Sequence, residues 1–265
     1  MKKFCFSTLG CLELTLEEIV ALAKKYNLSA IEIRGIADEM DNTKIECFLP
    51  ENAENTKKFL KDNGIEIIGM GTSACCDAIG FKDEEIEKLY REIDVASRMG
   101  IPNIRVFGNN VKEEYENVLK AVLDALTKAC DYASDKNVNI LLEIHGDFKT
   151  VEYVMPVVNA MKEYKNFGIL WDVAHSDVAY KENWMEFYKE IKPYVRHVHV
   201  KDHIRAPFKI VTPGEGEIPF VDICATLEKD GYDGYYSLEW ERKWHPHLDE
   251  ITVALDALLG ILNGG

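Results

Sequence analysis

No stretch of this chain approaches the roughly 18 consecutive apolar residues that a membrane-crossing helix needs. Positive charge is also in short supply. The sequence holds 31 Lys and Arg against 46 Asp and Glu, a formal net charge of −15, and its pI is near 5.0. That balance disfavours the counter-ion release that drives binding to a polyanion such as DNA. No glycine-rich nucleotide turn follows the first strand-like run. Gly214-Glu215-Gly216 comes late and lacks a third glycine, so it reads as a turn. No linker or low-complexity segment divides the chain, which is read as one domain over residues 1–265. The start, Met1-Lys2-Lys3 followed by FCFSTLGCLEL, is basic, but Glu13 interrupts its short apolar run; it reads as a first strand rather than a signal peptide. The 7 cysteines are odd in number and show no ligand-like spacing. Reduced thiols in a cytoplasmic protein are therefore expected.

What is present is an alternation of short β-rich runs with amphipathic helical windows. The candidate strands are Lys3–Ser7, Ala30–Arg34, Ile65–Met70, Asn103–Phe107, Asn139–Glu143, Gly168–Asp172, Val195–Val200 and Tyr235–Trp240. TLEEIVALAKKY, EEIEKLYREIDVASRM and YENVLKAVLDALTKACDYASDK are among the helical windows between them. Thr15 with Glu18 predicts a capping box, and Gly64, Gly100, Asn137 and Gly231 stand where helices would end in a left-handed residue. This βα rhythm over 265 residues predicts an α/β fold, a single (β/α)8 TIM barrel.

Parity adds to the argument, because strand side chains alternate with period two. Ile140, Leu142 and Ile144 share one face, and Leu141, Glu143 and His145 the other; Val198 and Val200 oppose His197, His199 and Lys201. Tyr236, Leu238 and Trp240 oppose Ser237, Glu239 and Glu241. The apolar faces are expected to meet the helices and the polar ones to point into the barrel. Polarity rises towards the carboxyl ends, where barrel enzymes carry their sites.

Glu143, Asp172, His199 and Glu239 close four successive strand-like runs. A buried carboxylate or imidazole costs several kcal/mol unless it is paired or bound to a cation, so four at matching strand ends predict one shared divalent ion. Three carboxylates and one imidazole suit Mn²⁺, with Mg²⁺, Co²⁺ or Zn²⁺ as alternatives. Such an ion would polarise a carbonyl and stabilise an ene-diolate. Glu143 and Glu239, on different strands, could take and return a proton at the adjacent carbon. The plainer reading is that these acids form salt bridges with Arg34, Arg105 or Lys201.

His175, three residues past Asp172, and Lys201, inward by parity, are candidate substrate contacts. Arg205, in the long segment before the helix starting near Phe220, and Trp244, after the last strand, are placed at the entry face. His197 reads as a satisfied core or supporting histidine, and Arg105 and Glu32 as a structural pair on the opposite wall. Trp184 is explained equally well by packing, and His245 with His247 reads as an exposed loop pair.

The Glu143 strand, Asp172-Val173-Ala174-His175, the HVHVKD run, the GEGEIPF turn and Glu239 resemble the xylose isomerase-like TIM barrel superfamily (AP endonuclease family 2 type). The resemblance is specific from about Asn139 to Glu241. It implies that Glu143, Asp172, His199 and Glu239 bind a divalent metal, that Glu143 and Glu239 exchange the proton, and that His175 and Arg205 contact substrate. The chain departs from the ketose epimerases at Lys149, where they carry a glutamate, and at His145, Gly146 and Asp147. The nuclease branch needs histidines from the amino-terminal half, and none precedes His145.

Three functions are compatible with these features. One is a metal-dependent isomerase or epimerase of a sugar or polyol. The second is a dehydratase of a keto-sugar or inosose, in which His145, His175 or Lys201 serves the leaving group. The third is a non-catalytic barrel that binds metal or sugar. Small-molecule substrates, no nucleic-acid or membrane partner, and a homo-oligomer are the expected associations.

Overall fold

The computed structural model describes residues 2–76, 83–108, 110–112 and 114–263. Its centre is an eight-stranded sheet of β1 (Lys3–Phe6), β2 (Ala30–Ile33), β3 (Glu66–Cys75), β4 (Asn103–Phe107), β5 (Asn139–Glu143), β6 (Phe167–Asp172), β7 (Val195–Val200) and β10 (Tyr235–Leu238). Every ladder in it is parallel. The strands run in chain order around the sheet, and β10 returns to pair with β1. A single parallel bridge, Ser7 to Glu32, joins the remaining two edges. This is the barrel that the βα rhythm predicted.

Helices α1 (Leu16–Lys25), α2 (Ala53–Asn63), α3 (Asp83–Met99), α4 (Tyr115–Tyr132), α5 (Val151–Met161), α6 (Val173–Tyr180), α7 (Trp184–Ile191), α8 (Phe220–Lys229) and α9 (Ile251–Asn263) fill the connections. The predicted punctuation is realised. In α1 the Thr15 hydroxyl accepts from the Glu18 amide at 3.3 Å, and the Glu18 carboxylate accepts from the Thr15 amide at 2.9 Å. Gly64, Gly100, Asn137 and Gly231 all have positive φ.

Parity divides the interior into two layers. Ile140, Leu142, Val198, Val200, Tyr236, Leu238 and Trp240 join the large apolar cluster that includes helix residues such as Val122, Val157 and Phe187. Each fully buried side chain of this kind contributes roughly 1.5–3 kcal/mol. A small separate cluster of Cys5, Ala30 and Ile68 lies apart from that layer, and the polar residues of the alternate faces gather towards the carboxyl ends.

Two further strands, β8 (Asp202–Arg205) and β9 (Phe208–Val211), form an antiparallel hairpin in the long segment before α8, where no strand was expected. Asp202 anchors the turn beyond this hairpin. Its carboxylate accepts from the amides of His203, Gly214, Gly216 and Ile218. A Cβ at Gly216 would lie 2.2 Å from Asp202 Oδ1, so only glycine admits the carboxylate there. The GEGEIPF turn is thus a clip that seats the hairpin beside the barrel mouth. Among the described residues no helix is long and apolar enough to cross a membrane.

One buried acid outside the barrel mouth has a measurable consequence. Glu92 on α3 is 2% exposed and accepts from Asn42 at 3.3 Å. Burial raises its pKa to about 7, despite opposing contributions from Lys88 and Asn42. The unfolded chain releases this proton near pH 4.3, whereas the folded chain holds it, so stability falls as pH rises from about 4 to 7. Glu92→Gln is therefore expected to stabilise the protein at pH 8, by at most about 4 kcal/mol, and to do little at pH 4. Urea denaturation at the two pH values checks this.

Candidate active site

Register brings the polar strand ends together. Glu143 pairs with Leu170, two residues before Asp172; Asp172 pairs with His199; and His199 pairs with Ser237, two residues before Glu239. Period-two alternation then points all four side chains into the barrel. One donor atom from each of Glu143, Asp172, His199 and Glu239 lies within 4.8 Å of the others, and all four residues are buried.

Each group is oriented by its surroundings. Asp172 caps α6: its Oδ1 accepts from the amides of Ala174 at 2.9 Å and His175 at 3.2 Å. That leaves Oδ2 facing the cluster. Lys201 Nζ lies 2.7 Å from this Oδ2 and 2.7 Å from Glu239 Oε2, and it also contacts Glu241. Arg105 Nε lies 3.0 Å from Glu143 Oε2. The Lys201–Asp172 and Arg105–Glu143 contacts are charge contacts without hydrogen-bond alignment, because Asp172 Oδ2, Glu143 Oε2 and Arg105 Nε all lack a hydrogen-bond partner. The plainer expectation, carboxylates paired with barrel cations, is therefore realised in part, and it leaves acceptor atoms unsatisfied.

His199 is held from behind. Its Nε2 lies 2.9 Å and 3.0 Å from the two oxygens of Glu32, which also meets His197 Nε2 at 3.0 Å. With Nε2 committed to Glu32, Nδ1 is the nitrogen that faces the acid cluster. Burial disfavours the charged ring, but Glu32 and Glu239 raise it well above its ordinary value, so Nδ1 holds a proton that a bound cation would displace. Nδ1 is buried without a hydrogen-bond partner, 3.3 Å from Glu239 Oε1. A carboxylate behind an imidazole whose other nitrogen faces an acid cluster is the arrangement that supports metal-ligating histidines.

The charge states are set by the same contacts. Burial pushes Glu143 up to about 8, against the opposing Arg105 charge. Burial would raise Glu239 too, yet Lys201 and His199 hold it well below the usual carboxylate range. Burial disfavours the charged form of Lys201, but Asp172, Glu239 and Glu241 outweigh it and keep the ammonium strongly protonated. His145 and His175 are both lowered, by burial first and then by Lys201. Their rings meet edge-on at 4.3 Å.

A cavity of about 450 Å³ opens onto this centre and is lined by Glu143, Glu239, His145, His175 and Trp244, among others. Two larger clefts, of about 530 and 520 Å³, lie against α1 and α2 and beside the amino ends of β3 and β4. Neither borders the acid cluster, so size alone does not mark the site.

Not every expected contact reaches the cavity. Arg205 sits 2.9 Å from both oxygens of Asp177 and also contacts Glu182. His203 Nε2 shares Asp177 at 3.0 Å. Arg205 thus fastens the hairpin to α6 and does not line the cavity. Arg105 and Glu32 do not pair with each other, contrary to expectation, since the first faces Glu143 and the second the two histidines. Trp184 packs on Trp171, with ring centroids 6.4 Å apart. His245 contacts Glu241 at 3.4 Å, and His247 lies 3.3 Å from the Ile210 carbonyl. Lys149, at the departing position, donates to the Gly146 carbonyl at 3.0 Å.

The sequence profile described as Xylose isomerase-like TIM barrel matches residues 20–259. The chain belongs to this family. An inosose dehydratase of Geobacillus thermodenitrificans is 24% identical over 226 residues, 73% of this chain and 75% of that protein. The L-ribulose-5-phosphate 3-epimerase UlaE of Salmonella paratyphi C is 27% identical over 182 residues, 64% of this chain and 61% of the epimerase. The chain spans 58–75% of the length of the first curated relatives it matches. Among solved structures, the IolI protein with a bound zinc atom superposes with a TM-score of 0.80, at 19% identity, over 99% of this chain and 98% of that one. At that identity the likeness shows a shared fold.

Glu32→Gln keeps the side-chain shape but removes the charge that faces both imidazoles. It is expected to weaken Mn²⁺ binding by about 10–100-fold, read by calorimetric titration. Unaltered affinity would remove Glu32 from this supporting role.

Proposed function

We propose that the chain is a divalent-metal-dependent isomerase or epimerase acting on a sugar or polyol. The convergence of Glu143, Asp172, His199 and Glu239 carries this reading, because Glu143 Oε2 and Asp172 Oδ2 are buried acceptors without hydrogen-bond partners, and His199 Nδ1 is a buried nitrogen in the same state beside them. Buried acceptors in that state are costly unless a cation or donor meets them. The donor set fits Mn²⁺, Mg²⁺, Co²⁺ or Zn²⁺, and the zinc held by the structurally similar IolI protein supports a divalent ion here. When bound, such an ion would polarise the substrate carbonyl and offset the negative charge that develops on it.

The proton chemistry falls to the two glutamates. They stand on or just beyond β5 and β10, on different walls of the mouth, and their environments push their proton affinities apart. That separation is the pattern that assigns acid and base roles to a carboxylate pair. Glu239, kept ionised by Lys201, accepts the proton from the carbon beside the carbonyl; Glu143 returns one from the other side. Lys201 also fixes the orientation of Glu239 through a 2.7 Å hydrogen bond and sets a positive charge 2.7 Å from Asp172. The His175 and Trp244 side chains wall the cavity and meet substrate hydroxyls and ring faces.

A second reading, elimination of water, is favoured by the neutral His145–His175 pair, which proton exchange between two glutamates does not need. The inosose dehydratase relative lends it weight. In this case Glu239 still takes the proton from carbon, Glu143 protonates the departing hydroxyl, and a neutral imidazole serves the leaving group by holding that hydroxyl in a hydrogen bond.

Glu239→Gln is expected to lower turnover of a keto-sugar or keto-polyol substrate by about 10²–10⁴-fold. Asp172→Ala should purify with little divalent metal by elemental analysis. Deuterium entering substrate from solvent at unchanged composition marks epimerisation, whereas a product lighter by one water marks the dehydratase. Full turnover by Glu239→Gln would remove it from the chemistry.

A further inference from the structure

Arg34 follows β2 at the cavity wall and is only 8% exposed. Its Nη2 donates to the Ser73 hydroxyl at 2.9 Å, while its Nη1 is buried without a hydrogen-bond partner. Among the described residues no carboxylate comes within ion-pair distance of it; burial and the like charge of Arg105 act against its charged form, and Glu239, Glu92 and Glu143 favour it only from beyond contact. A Cβ at Gly71 would lie 2.7 Å from Arg34 Cδ and 2.9 Å from Arg105 Nη2, so both guanidinium chains lie across the bare face of one glycine. Arg105 has its own partners: the Thr72 carbonyl at 2.9 Å, the Phe107 ring at 3.9 Å and Glu143 at 3.0 Å. Arg34 has one neutral hydroxyl.

A buried cation whose partner is a hydroxyl, and whose neighbour carries the same charge, is costly to keep. Such a group persists where something outside the chain completes it. We propose that Arg34 is the anchor for an oxyanion on the substrate, so the enzyme acts on a keto-polyol that carries a carboxylate or a phosphate rather than on a neutral sugar. A guanidinium is suited to either group through charge-assisted hydrogen bonds. Ser73 holds one edge of Arg34 in place, and the cavity of about 450 Å³ is shared with the acid cluster, so one small molecule can reach both. This assignment rests on the proposed function for the position of the reacting carbon, but not for the anion site itself.

The test compares the Mn²⁺-loaded protein with Arg34→Gln and Arg34→Lys. Inorganic phosphate and a small hydroxycarboxylate, each added alone, should raise the melting temperature of the wild type and have a much smaller effect on Arg34→Gln. Whichever probe acts at lower concentration identifies the natural oxyanion. In turnover, preference for an anionic keto-polyol over its neutral analogue should fall about 10–100-fold in Arg34→Gln, with partial rescue in Arg34→Lys. Without any probe, Arg34→Gln should melt no lower than the wild type, because it removes an uncompensated charge; a purely structural arginine would give the opposite. Equal probe binding in wild type and Arg34→Gln, or wild-type preference for the neutral analogue, overturns the proposal. Metal content by elemental analysis is read on the same samples, so loss of the metal centre is distinguished from loss of the anion site.

Discussion

The barrel mouth is governed by one constraint: carboxylates cannot be crowded away from water without positive charge among them. Glu143, Asp172 and Glu239 are at most 5% exposed and stand within a few ångströms of one another. Lys201 is the resident answer, reaching Asp172, Glu239 and Glu241 from the adjacent strand. An ammonium is a single point of charge with three donors, and here it leaves oxygens on two sides of the cluster without an aligned donor. Arg105 does the same at Glu143, near enough for attraction but not angled for a hydrogen bond. The resident positive charge thus holds Glu239 ionised but not Glu143, which burial pushes up to about 8, and the donors are too few to satisfy the cluster. That is the condition under which a small divalent ion binds strongly.

The same constraint explains the layer behind the cluster. His199 could neutralise the acids by taking a second proton, and its acidic neighbours raise its pKa well above the ordinary value against the opposing effect of burial. Glu32 occupies Nε2 and thereby directs which nitrogen a cation would meet. The second histidine on that face, His197, serves Glu32 rather than the cavity. Two histidines of one strand, equivalent by parity, are therefore separated by depth: one faces the mouth and the other supports it.

Most of this arrangement is legible in the sequence because burial and parity are local. Asn103–Phe107, Asn139–Glu143 and Val195–Val200 are strands with the bounds their apolar runs suggest, and their polar alternate positions point where period two requires. The illegible parts depend on distant partners. Glu32 reads from the sequence as a partner for Arg105; its actual partner His197 is 165 residues away, and the ladder shifts register between Ile31 and Glu32. The hairpin leaves no apolar run to read, because Phe208 and Lys209 are exposed. It is held instead by the Asp202 clip and the Arg205–Asp177 pair. An arginine after an inward strand suggests a substrate contact, yet Arg205 is captured by the chain itself. Asp177, buried on α6, is the signal in the sequence that such capture comes first.

Arginine placement then becomes the informative difference within the site. Three arginines lie near the mouth, and each has a different set of partners. Arg205 is consumed by carboxylates and does mechanical work, tying the hairpin to the helix that carries Asp172 at its cap. Arg105 is shared between a carbonyl, an aromatic face and Glu143, so it tunes an acid of the cluster. Arg34 has a hydroxyl and, among the described residues, no carboxylate at ion-pair distance. Arg105 and Arg205 each meet a carboxylate of the chain, whereas Arg34 faces the cavity with a hydroxyl as its side-chain partner, and an incoming oxyanion is the complement that would close it.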